Sequence, residues 1–170
     1  VTRLALAYGT AWRDSVQFRN GNGVFQLNPP NCAEFSYRHQ LDIASHDTTV
    51  SAFKFDGHSS FEFVGVNADT ATINGTHAWD FWGKSVTVDF TTWHWLNFNS
   101  IVNDLTYTKN GLVWAERPTA GSIAATLDHI NQNGNTTPVT TSWVVYVQFG
   151  VQTTVTITQG NTVWSYTYGG

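Results

Sequence analysis

The chain has 170 residues, with 8 basic against 12 acidic side chains and a net charge of −4, a size that favours a single domain over residues 1–170. Only 12% of the residues are charged while 15% are aromatic, which argues against disorder and against the basic footprint of a nucleic-acid binder. No apolar run approaches the roughly 18 residues of a transmembrane helix, and one Cys cannot close an internal disulfide.

In chain order, the N-terminal part opens on Val1, and the chain has no Met, which predicts a processed N-terminus. Trp12-Arg13-Asp14 is a secondary candidate for binding. An Arg beside a Trp suits a cation–π contact, and the Asp suits an ion pair with that Arg; a solvated strand edge accounts for the triplet as well. Gly21-Asn22-Gly23 reads as a loop tip, and Cys32 as a small buried hydrophobe. Glu34 and Glu62 each stand between apolar neighbours, as the solvent-facing residues of alternating strands do. Phe53 and Phe55, then Phe61 and Phe63, alternate on either side of Asp56-Gly57, which predicts a hairpin there.

The richest stretch runs from Asn74 to Phe98 and holds Trp79, Asp80, Trp82, Trp93, His94, Trp95 and Asn97. On a strand over 92–98, Trp93, Trp95 and Asn97 share one face, and His94, Leu96 and Phe98 the other. Residues i and i+2 advance about 6.6 Å along a strand, so two indoles can meet successive rings of a chain-like ligand. Sugar rings present an apolar C–H face to an indole, and their hydroxyls need Asp, Asn and His partners. The competing reading is that these rings fill a core. Val86, Val88 and Phe90 extend the alternation, and a helical turn is expected near 100–105.

Ile123, Leu127 and Ile130 fall at i, i+4 and i+7, and with Ser122 as cap and Asn133-Gly134 as stop they predict a short helix over 122–132. Trp143 to Phe149 reads as a central strand covered on both sides. Val155 and Ile157 alternate with Thr before a turn at Gly160-Asn161. Trp164, Tyr166 and Tyr168 then line one strand face, suited to a core or an oligomer contact. The sum is an all-β protein of roughly a dozen short strands, an antiparallel β-sandwich of jelly-roll type with one helix.

Several chemistries lack their local signals. There is no dinucleotide fingerprint, phosphate loop, nucleophile elbow or zinc helix, and the six His residues show no ligand spacing, so neither cofactor nor metal is expected. Asp14, Asp42, Asp47, Asp56, Asp69, Asp104 and Asp128 read mostly as turn residues, and no catalytic pair is assigned. Two glycosylation triplets occur, at Asn74 and Asn135. The composition resembles that of secreted and fruit-body carbohydrate-binding β proteins. The resulting expectation is a non-enzymatic, lectin-like protein, secreted or extracellular, with a glycan or glycoprotein as partner and a homo-oligomer as a natural assembly. The alternatives are a glycoside hydrolase or lyase with strand-borne carboxylates, and a membrane-active or immunomodulatory interaction protein.

Overall fold

The computed structural model describes residues 2–6, 10–26, 32–44, 51–87 and 91–169. They form β1 (Thr2–Leu6), β2 (Thr10–Arg19), β3 (Phe25–Gln26), β4 (Glu34–Ala44), β5 (Ser51–Val64), β6 (Thr70–Val86), β7 (Thr91–Asn110), β8 (Val113–Trp114), β9 (Ala120–Asn133), β10 (Val139–Phe149), β11 (Thr153–Gln159) and β12 (Thr162–Tyr168). All pairings are antiparallel, and ten strands follow one another in the order β1-β2-β4-β5-β6-β7-β9-β10-β11-β12, with β3 appended to β2 and β8 to β7. The result is one open meander. Residues 88 and 90 of the expected Val86–Phe90 alternation lie outside the described residues.

Three expectations are overturned by register. Asp56-Gly57 is no hairpin but lies inside β5, where Gly57 pairs with Leu41 on one side and Trp79 on the other. Its missing side chain makes room for a ring: a Cβ there would lie 2.8 Å from Phe55 Cε1. The segment 122–132 is no helix but most of β9, laddered to β7 and to β10. Its odd positions, Ile123, Ala125 and Leu127, face Val147, Val145 and Trp143 of β10, so period two serves the sheet as well as period 3.6 would serve a helix, and two ladders override propensity. The turn expected near 100–105 is a bulge in β7, where Asp104 takes φ 48° and the register to both neighbours slips. Its backbone N–H donates to Asn74 Oδ1 (2.6 Å), and Asn74 Nδ2 donates to Asp104 Oδ1 (3.0 Å).

The expected jelly-roll sandwich is not seen: the described strands form a single layer. Substantial contacts between elements join only ladder neighbours, and no second sheet covers this one among the described residues. Accordingly, Trp143–Phe149 is paired on both sides but lies third from the edge of the sheet, and it alternates between half-buried and exposed instead of being covered on both faces. Ala71, Val102, Leu105 and Pro118 are the buried ones among the described apolar side chains, and no large side chain is fully buried. The chain exposes 11113 Å², against roughly 8,300 Å² for a compact monomer of its mass.

Register separates the two faces. One carries Phe35, Phe55, Phe61, Phe63, Trp79, Phe81, Leu96, Phe98, Leu127, Trp143, Val145, Ile157 and Trp164. On it Trp79 stacks between Phe55 and Phe98, with centroids 6.0 and 5.5 Å away. The other face carries nearly all the charged strand residues. The site is built on that polar face.

Candidate functional site

On the polar face β6 and β7 place Trp82 opposite Trp95, Lys84 opposite Trp93 and Asp80 opposite Asn97. Trp93 and Trp95, two residues apart, lie nearly parallel with centroids 6.1 Å apart and 13° between planes. Trp82 leans on Trp93 at 5.5 Å and 43°, and Lys84 Nζ sits 5.2 Å from the Trp93 centroid. All three indoles are half-buried. Their neighbours on this face are mostly polar, with Lys54 opposite Trp82, Gln132 opposite Trp93 and the Asp80–Asn97 pair alongside, and Ile130 is the apolar residue opposite Trp95.

Beside the indoles, one register row crosses five strands: Asp42, Asp56, Asp80, Asn97 and Asp128, followed by Ser142. Asn97 Nδ2 donates to Asp80 Oδ1 at 2.7 Å, and Lys54 Nζ lies 4.0 Å from Asp56. Burial, followed by the charge and hydrogen bonding of Asp56, pushes the Asp42 carboxyl above its ordinary value, while Gln40 and Lys54 oppose the shift. Three of these acids, Asp42, Asp56 and Asp128, read as turn residues in the sequence, yet all are mid-strand. The signal that finds them is registration: each stands on the same face, in the same row, as Asp80 or Asn97.

The predicted residues therefore divide. Asp80, Trp82, Trp93, Trp95 and Asn97 come together, whereas Trp79 and His94 face the apolar side. His94 Nδ1 lies 3.2 Å from His129 Nε2 and takes no part in the platform. Trp12-Arg13-Asp14 also divides, because adjacent strand residues point to opposite faces. Asp14 leaves Arg13 and accepts from His39 Nδ1 (2.7 Å) and the Tyr37 hydroxyl (3.0 Å). The Trp12 indole N–H lies 3.2 Å from the same His39 nitrogen. The hydrogen bond from His39 holds the Asp14 carboxyl below its ordinary value.

A second row, on the apolar face, escapes local reading altogether. Asp14, His39, Ser59, His77 and Ser100 are in register across β2, β4, β5, β6 and β7, with Ser59 Oγ 2.7 Å from His77 Nδ1. Glu34 and Glu62 lie on directly paired strands of the polar face, 3.8 and 3.6 Å from Arg19 Nη1, and this shared cation accounts for both. The half-buried Cys32 thiol donates to the Glu34 carbonyl. Of the two glycosylation triplets, Asn74 has its amide occupied by Asp104, whereas Asn135 is exposed in the turn after β9.

An apolar cavity of about 380 Å³ lies at one end of the opposite face, lined by Phe35, Phe63, Ile73, Tyr107 and Trp114 among others. It offers few polar groups to read hydroxyls, so the indole platform with its carboxylate row is the better site for a polar ligand. No protein-family model, curated protein or solved structure matches the chain.

Proposed function

We propose that the protein binds glycans without cleaving them, using Trp82, Trp93 and Trp95 as stacking surfaces and Asp80, Asn97 and Asp128 as hydroxyl partners. The supporting observation is the indole trio on the polar face, directly beside a row of carboxylates. A core would place those rings on the apolar side. Carboxylates accept from sugar hydroxyls in charge-assisted bonds, while indole planes take up the C–H faces. This reading carries an extracellular setting with it, and it treats the apolar face as one half of a β-sandwich.

A glycan array run beside a reducing-end assay tests the proposal. The expected result is retention of defined glycans with no product, and loss of retention in Trp95→Ala. Absence of any glycan ligand, or full retention by folded Trp95→Ala, overturns it. The adjacency of Asp42, Asp56 and Asp80 favours glycoside cleavage as the second reading, since that chemistry uses paired carboxyls. Released reducing ends would establish it instead.

A further inference from the structure

We infer that the apolar face is a homodimer interface, two copies packing this face against itself to complete a two-layered β-sandwich. The inference rests on the sandwich reading above and names its second layer, independently of any glycan.

Area is the first argument. The chain exposes about a third more surface than a compact monomer of 18.9 kDa. Ten strands spaced about 4.8 Å apart, with about 3.4 Å per residue along them, give a face of roughly 48 by 40 Å. Even half overlap of two such faces removes about 2,000 Å² in total, the lower bound for obligate dimers. Sheets packed face to face interdigitate their side chains at about 10 Å. At the outer edge, Trp164, Tyr166 and Tyr168 stand on this same face of β12 and are 39%, 48% and 57% exposed, a stripe that no second layer covers among the described residues.

Charge is the second argument. Among the strand residues described on this face only Asp14 and Lys109 are charged. Asp14 is held by His39 and Tyr37, and Lys109 lies over the Trp114 ring at 4.6 Å. Two such faces meet without like-charge repulsion. The row of Asp14, His39, Ser59 and His77 is hydrogen-bonded in pairs, so it tolerates a dry contact. A bilayer suits the face less well. That polar row crosses the sheet at mid-strand, where the hydrocarbon core would lie, and β6 and β7 run to 17 and 20 residues, beyond the roughly 9–11 of a membrane strand.

Sedimentation equilibrium at micromolar concentration should give about twice the monomer mass of 18.9 kDa. Phe55→Lys should shift it to the monomer, while Thr76→Lys, on the polar face, should leave it unchanged. If Phe55→Lys does not fold by circular dichroism, hydroxyl-radical footprinting of the wild type decides. Phe55 and Phe81 should be protected in the dimer and react on dilution, with Trp82 and Trp95 reactive throughout. A wild-type monomer overturns the inference, as does a dimer that folded Phe55→Lys leaves intact. So do Phe55 and Phe81 rings reactive at every concentration, or protection appearing only with phosphatidylcholine vesicles.

Discussion

Trp79 and Trp82 stand three residues apart on one strand and face opposite sides of the sheet, so replacing each by Ala separates packing from binding. Trp79 stacks on Phe55 and Phe98. Losing the buried half of a ring of ~200 Å² at ~25 cal/mol/Å², with two ring contacts of ~0.5 kcal/mol each, costs about 3.5 kcal/mol. For a chain of this length that is a Tm loss of roughly 7–14 °C. Trp82 is half-buried as well and has one tilted contact, with Trp93, so the same reckoning gives about 3 kcal/mol, or roughly 6–12 °C. Affinity is the readout that separates the two. Removing an aromatic anchor of about 2 kcal/mol weakens Kd roughly 30-fold in Trp82→Ala, and Trp79→Ala should bind as wild type below its melting range. Differential scanning calorimetry and isothermal titration with an array-selected glycan measure both. Wild-type binding by Trp82→Ala, or a stable Trp79→Ala without binding, would refute the assignment of faces.

Gly75→Ala should cost about 3 kcal/mol, since its Cβ would meet the Ser60 carbonyl and lie 2.9 Å from Phe61 Cα, backbone that cannot rotate away; Gly57→Ala, facing only the Phe55 ring edge at its nearest contact, should cost about 1 kcal/mol, and equal losses in urea titration would count against this register. Asp42→Asn should raise Tm at pH 7, because a raised folded pKa makes ionisation destabilising as pH rises through it; the gain should vanish below pH 3.8, where the carboxyl is protonated in both states. Asp14 has the opposite sign. Its depressed pKa gives stability that is present above 3.8 and lost as pH falls through the folded value, so Asp14→Asn should lower Tm at neutral pH and match wild type in strong acid. Glu34→Gln and Glu62→Gln should each shift stability by less than about 1 kcal/mol and leave glycan retention unchanged on the array; a 10²-fold loss of turnover in either, with a wild type that cleaves, would mark a catalytic acid or base.

The residues also show how far local information reaches. The split of Trp93, Trp95 and Asn97 from His94, Leu96 and Phe98 follows from the sequence because strand period is two wherever the strand pairs. The turns at Gly21–Gly23 and Gly160-Asn161 were legible for a similar reason: Gly23 and Gly160 take φ of 74° and 55°, a region Gly enters without strain, whereas Asn133-Gly134, read as the stop of a helix, turns the chain from β9 into β10. Asp56-Gly57 carries the same local signal, yet pairing with Leu41 and Trp79 holds it extended, and the ladders of β7 and β10 do likewise for 122–132. The candidate site divides along that boundary. Indoles and their nearest polar neighbours were visible as a dense stretch, whereas Asp42, Asp56 and Asp128 joined Asp80 only through strand register. Register is decided by which faces become apolar across ten strands, where a slip of one residue would invert every side chain, and that is a property no local window contains.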